Sequence, residues 1–153
     1  MSDVSSIMTC DPVSCSEETR LQRVAELMRD RHVGAVIMVT GNSGSTRPVG
    51  VITDRDVVLE VVATGLDPAA ITAGDIAIRP VVTIQQHEGL LEAIHKMRSR
   101  GVRRLPVVNL HGALVGIVTH DDVMQRLAHE LSTLSRVAEN QPVQEARARP
   151  GKA

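Results

Sequence analysis

Apolar residues at Leu21, Val24, Ala25 and Met28 follow the i, i+3, i+4, i+7 spacing of one helix face, and Leu90, Ala93, Ile94 and Met97 repeat it 69 positions later. Each predicted helix follows a short extended segment opened by proline, Pro12–Cys15 in the first half and Pro80–Thr83 in the second. Each is followed by an apolar stretch with strand character, Val33–Val39 or Val102–Val108. A turn comes next, rich in Gly, Ser and Asn over Gly41–Ser45 and shorter over Asn109–Gly112. A second strand, Pro48–Thr53 or Ala113–Thr119, then enters a helix rich in apolar residues. The first hairpin loop is three residues longer, so Gly50 matches Gly116 at an offset of 66. Surface loops absorb such insertions readily.

Each half therefore reads as strand, helix, strand, strand, helix, and the fold class as α/β (α+β). One such unit is too small to bury both of its faces, so the two are expected to pack against each other. The predicted boundaries are 1–64 for the first repeat, 65–75 for a connection containing Gly65, Pro68 and Gly74, and 76–131 for the second repeat. Residues 132–153 lose the periodicity and end in a polar run of Arg, Pro and Gly, the composition of a partly disordered tail.

Composition narrows the function classes. The 153 residues are 42% hydrophobic, enough for a real core, and the charge of −1 offers no general field for nucleic acid or an anionic membrane. Neither is expected as a partner. The chain has no Phe, Tyr or Trp, so a base cannot be stacked on an aromatic ring and would have to be wedged between aliphatic side chains. No apolar run approaches the roughly 20 residues of a membrane helix, and the first residues lack a basic region followed by an apolar core. A cytoplasmic location is expected. Cys10 and Cys15 read as free thiols, and none of the six histidines forms the i, i+4 pair of a helical zinc motif, so no metal site is predicted. Catalysis is not expected either: there is no Gly-x-Ser-x-Gly elbow, no Gly-rich phosphate loop followed by Lys, and no evident nucleophile and base.

Candidate chemistry lies at the duplicated motif Gly50-Val51-Ile52-Thr53-Asp54-Arg55-Asp56 and Gly116-Ile117-Val118-Thr119-His120-Asp121-Asp122. Thr53 and Thr119 stand where a strand hands over to a helix, so a hydroxyl and unpaired backbone N–H groups converge there, as a phosphate requires. Asp56 and Asp122, three residues on, offer carboxylates suited to the paired hydroxyls of a ribose. The same Thr-x-x-Asp spacing is that of a capping box, in which the two side chains satisfy the helix's own N–H groups, and the two roles can coexist. Gly50 and Gly116 remove a side chain from the strand and permit close approach of backbone.

With Val102-Arg103-Arg104-Leu105-Pro106-Val107-Val108 preceding the second copy, the duplicated motif resembles a tandem pair of CBS domains, a Bateman module, of the stand-alone bacterial type. The resemblance implies two βαββα repeats packed with pseudo-two-fold symmetry through their sheets. It also implies a homodimer formed through the helices Val57–Ala63 and Val123–Leu131, and a non-catalytic regulatory role of the energy-sensing kind. Its ligand would be an adenine nucleotide or adenosyl compound (AMP, ADP, ATP, NAD(H) or S-adenosylmethionine) held between the repeats and signalled by conformational change to an unidentified effector. No cofactor would be required beyond that regulatory ligand. By the same carry-over, Thr53 and Asp56 meet Pro80, Val81 and Val102–Leu105, where Arg103 and Arg104 are candidate phosphate ligands. Thr119 and Asp122 meet Pro12, Val13 and Val33–Val36, where Gly34 and Ala35 hold the places of the two arginines. That second cleft is expected to lack a cationic partner, His120 apart, and to bind anions less tightly. Two other readings stand beside this one: a ligand-free interaction and dimerisation module, and a redox or metal sensor using Cys10 and Cys15.

Overall fold

A computed structural model describes residues 3–148. The first repeat contains β1 (Thr9–Cys10), β2 (Ser14–Cys15), α1 (Leu21–Arg31), β3 (Ala35–Thr40), β4 (Arg47–Thr53) and α2 (Asp54–Val57), which runs on into a π turn over Val58–Val62. The second contains α3 (Ala73–Ile76), β5 (Ile84–Gln85), α4 (Leu90–Arg100), β6 (Arg104–Val108), β7 (Leu114–Thr119) and α5 (His120–Ala148). The helical spacing holds: α1 buries Leu21, Val24 and Met28, and α4 buries Leu90, Ala93 and Met97. Basic residues close both helices, Arg29 and Arg31 in one and Arg98 and Arg100 in the other, complementing the negative end of the helix dipole. Both then stop in the left-handed region, at His32 (φ 53°) and Gly101 (φ 64°).

Each hairpin carries its sheet. β3 pairs antiparallel with β4 and parallel with β2; β6 pairs antiparallel with β7 and parallel with β5. The register slips at Met38/Val39 and again at Val107/Val108, the same place in both repeats. Two core clusters result, one around Leu21, Val36, Met38 and Ile52, the other around Leu90, Leu105, Val107 and Val118.

The repeats exchange their leading segments. Val4, in a 3-10 turn over Val4–Ser6, is fully buried in the core of the second repeat, while Ala73 of α3 is fully buried in the core of the first. β1 joins the second sheet, pairing antiparallel with β7, and Ile78 bridges to Val51 of β4. The bridges Asp3↔Gly89 and Arg20↔Thr72 form a second reciprocal pair. Close approach is what the two strand glycines permit. A Cβ on Gly116 would stand 2.6 Å from Met8 Sδ and 2.9 Å from the Thr9 carbonyl oxygen, and one on Gly50 would stand 3.0 Å from Ala77 Cβ.

Three boundaries differ from expectation. Residues 73–75, expected within the connection, belong to α3, whose N-terminus is closed by a capping box between Thr72 and Asp75. The segment Pro80–Thr83 forms no strand: Pro80 has no N–H for a ladder, and β5 begins at Ile84, whose side chain enters the core. At the other end, α5 does not stop near Leu131 but continues to Ala148, with Pro142 inside it. From Leu131 to Ala148 every residue is exposed, so this part of α5 turns no apolar stripe to a core, and core-facing periodicity could not reveal it. Residues 149–153 of the expected tail lie outside the described residues.

Candidate functional site

Two clefts lie between the repeats, and each draws one wall from either repeat. The first, about 420 Å³, sets Val51, Thr53, Asp54 and Arg55 against Ile78, Pro80, Val81, Val82, Val102, Arg103 and Arg104. The second, about 430 Å³, sets Ile117 and Thr119 against Cys10, Asp11, Pro12, Val13, Val33, Gly34 and Ala35. Residues 69 or 66 positions apart thus occupy matching places, as the hydrogen bonds from Asp54 N to Gly34 O (3.1 Å) and from His120 N to Arg103 O (2.8 Å) also show. Of the residues singled out by sequence, Thr53, Pro80, Val81, Arg103 and Arg104 meet in the first cleft, and Pro12, Val13, Ala35 and Thr119 in the second.

Asp56, Asp122 and His120 are not among the residues lining either cleft. Each aspartate closes a capping box instead. Asp56 Oδ2 accepts from the backbone N–H of Thr53 (2.8 Å) and from its hydroxyl (2.7 Å), while Asp56 N–H donates back to Thr53 Oγ1 (3.2 Å). Thr119 and Asp122 repeat the pattern at 2.7, 2.7 and 3.2 Å. The capping reading of Thr-x-x-Asp is therefore realised in both repeats, and each threonine hydroxyl already spends its proton on a carboxylate. His120 places Nδ1 3.2 Å from Asp121 Oδ1 on the exposed start of α5. That hydrogen bond, with the nearby Arg103 and Arg104 guanidiniums, holds the Asp121 carboxyl below the usual aspartate range. Arg103 itself reaches Asp121 Oδ1 at 3.5 Å and is largely exposed.

The second cleft is not without cations. Arg31, from the last turn of α1, and Arg104 both line it. Arg104 arrives from the other repeat because Gly34 leaves room: a Cβ there would stand 3.1 Å from Arg104 Nη2 and 3.3 Å from Asp54 Oδ2. Position-by-position matching misses this, since it assigns each side chain to one cleft. The aliphatic walls expected in an aromatic-free chain are present, most clearly at Val51, Ile78, Val81 and Val82 in the first cleft.

The two cysteines part company. Cys10 is exposed in the second cleft, whereas Cys15 is buried and burial pushes its thiol up to about 11, away from the reactive thiolate. Among the described residues no three His, Cys, Asp or Glu side chains are grouped to hold a metal, and no helix is long and apolar enough to cross a membrane.

Comparison with known proteins accords with this architecture. The family model for the CBS domain matches twice, at residues 4–63 and 73–129. The chain is 35% identical over 81% of its length to an uncharacterized protein of Methanopyrus kandleri, of which it spans 62%. It is 34% identical over 83% of its length to hypoxic response protein 1 of Mycobacterium tuberculosis, of which it spans 86%. A solved structure of Hypoxic Response Protein I, 33% identical with a TM-score of 0.69 and covering 81% of this chain and 98% of that one, carries two coordinated zinc ions. A CBS domain protein of Pyrobaculum aerophilum, solved in complex with AMP, is 29% identical with a TM-score of 0.73, covering 84% of this chain and 99% of that one. With the exchanged leading segments, the paired clefts and the doubled family match, the chain belongs to the CBS-domain family and carries two copies of the domain as a tandem pair.

Proposed function

We propose that this chain is a non-catalytic regulatory module that binds an adenosyl ligand, with AMP as the first probe, in the clefts between its repeats. The observation that carries the reading is the composition of the first cleft: aliphatic walls at Val51, Ile78 and Val81 beside a cationic end at Arg55, Arg103 and Arg104. An adenine ring fits the former and a phosphate the latter. The AMP complex of the Pyrobaculum aerophilum protein supports the same ligand class. Because each cleft has one wall from either repeat, a bound ligand favours one relative orientation of the two, and that shift is the signal. The apolar side chains left exposed on the second-hairpin helices, Val58, Leu59 and Val62 in one repeat and Met124 and Leu131 in the other, support a homodimer through those faces.

The test is thermal unfolding followed by circular dichroism, with AMP, ADP, ATP, NAD, NADH and S-adenosylmethionine. A ligand at about 100 times its dissociation constant stabilises by about 2.7 kcal/mol. A shift with one of them that is lost when Val81→Trp fills the first cleft supports the reading. A well-folded protein that shifts with none of the six overturns it and leaves the ligand-free interaction module.

A further inference from the structure

We infer that Arg104 couples the two clefts, so that an anionic ligand held in one weakens the binding of a second anionic ligand in the other. This inference rests on the ligand class proposed above and adds how the two sites act on each other. Among the described residues, Arg104 is the one side chain lining both clefts. The fold explains why. Arg104 opens β6 opposite Thr119, and its pseudo-symmetric mate Ala35 opens β3 opposite Thr53. The pair at this place is therefore one arginine and one alanine, not two arginines. Beside Ala35, Gly34 carries no side chain, and the Arg104 guanidinium lies over it with the Asp54 carboxylate alongside. The remaining cations are each confined to one side: Arg55 and Arg103 line the first cleft, Arg31 the second.

A guanidinium grips a phosphate most tightly through two parallel N–H groups aimed at it, and the Arg104 side chain brings that grip into one cleft by turning it away from the other. Once Arg104 is engaged in one cleft, a phosphate entering the other must do without it. The free-energy cost is reciprocal between the sites, whichever fills first. A ligand with no phosphate, such as 5′-methylthioadenosine, makes no such demand and fills the clefts independently.

Because the clefts differ in their other residues, unequal affinities alone do not demonstrate coupling, and a cycle is needed. Val81→Trp and Val13→Trp each fill one cleft, and the dissociation constant of AMP at the remaining cleft is measured by calorimetry. For the unmodified chain, the product of its two stepwise constants is compared with the product of the two single-cleft constants. Coupling through Arg104 makes the former larger by about tenfold or more for AMP, within the usual range of coupling between sites. The excess shrinks to less than about threefold when Arg104→Gln is added to all three proteins, and for 5′-methylthioadenosine in every background. Equal products for AMP, or an excess that survives Arg104→Gln or is as large for 5′-methylthioadenosine, overturns the coupling while leaving the ligand class standing. Absence of heat with either ligand in the folded protein overturns the ligand class and the coupling together. Circular dichroism melts of each variant confirm that a lost signal is not lost folding.

Discussion

Thr53 and Asp56 are bonded to each other before any ligand arrives, and so are Thr119 and Asp122. Removing either aspartate therefore breaks one half of a capping box and frees the hydroxyl of a threonine that lines a cleft. Asp122→Ala is expected to destabilise by about 1 kcal/mol in urea unfolding with no ligand present, of the order of one lost capping interaction. Any ligand effect of these aspartates must be read as the difference beyond that loss. A second residue-scale prediction concerns the helix ends. His32 terminates α1 at φ 53° where its counterpart Gly101 terminates α4 at φ 64°. A residue with a Cβ is strained in that region by about 1–2 kcal/mol, partly offset by the greater unfolded-state freedom of glycine. His32→Gly is expected to stabilise the protein by about 0.5 kcal/mol, read as a higher urea midpoint at unchanged slope. An equal or lower midpoint refutes the strain. At this scale the sequence was informative about chemistry attached to a fixed spacing, hence both Thr-x-x-Asp boxes. It was silent on reach: nothing in a linear pattern says that Arg104 extends over Gly34, because that depends on which backbone faces it.

The exchanged leading segments make each repeat depend on the other. Val4 packs among Ile84, Leu90, Leu105 and Val118, far from it in sequence. Val4→Ala leaves a cavity in the second repeat's core, and a loss of about 2 kcal/mol is expected, of the order of other buried aliphatic truncations. Hydrogen exchange should show that loss spread over α4 and β6, not confined to the N-terminus. The other element-scale prediction concerns the turn from β5 into α4. Glu88 Oε2 accepts from Gln85 N–H at 2.6 Å, and both carboxylate oxygens stand 2.9 Å from Lys96 Nζ. Burial raises the Glu88 pKa, but the Gln85 bond and Lys96 outweigh it, leaving the group below the usual glutamate range. A carboxylate with a lowered folded value contributes stability that is present above its unfolded value, near 4.3, and lost as pH falls through the folded one. Glu88→Gln is therefore expected to flatten the fall in melting temperature below about pH 4.5. An unchanged acid limb contradicts this. Helices α1 and α4 and the two hairpins were legible because periodicity marks elements with one buried face. The leading turns at Val4 and Ala73 were not, being too short for any period, and neither was the far end of α5, which has no buried face to mark it.

At the scale of the whole molecule, the fold leaves Val58 54%, Val62 69% and Leu131 67% exposed on helices that reach the cores through other residues, Val61 and Val123. Sedimentation velocity is expected to give a particle of twice the chain mass, and Val62→Glu to reduce it to one chain without changing the circular dichroism spectrum. A wild-type monomer at tens of micromolar contradicts the proposed dimer. The two repeats were readable from the 69-residue offset and their pseudo-two-fold packing from the family resemblance, whereas the inequality of the clefts was only half readable. Matching positions between the repeats puts the arginines in the first cleft alone, and misses both that Arg104 lines the two clefts and that Arg31 enters the second from the end of α1. The reciprocal exchange of leading segments also sets an order of events during synthesis. The chain emerges N-terminus first, yet the surroundings of Val4 are not complete until β7 and the start of α5 have been made. Val4 is made before every one of those neighbours and must wait for them, and the first repeat likewise stays unfinished until Ala73 arrives. Neither half closes on its own residues alone, so each needs a segment that the other half carries at its head.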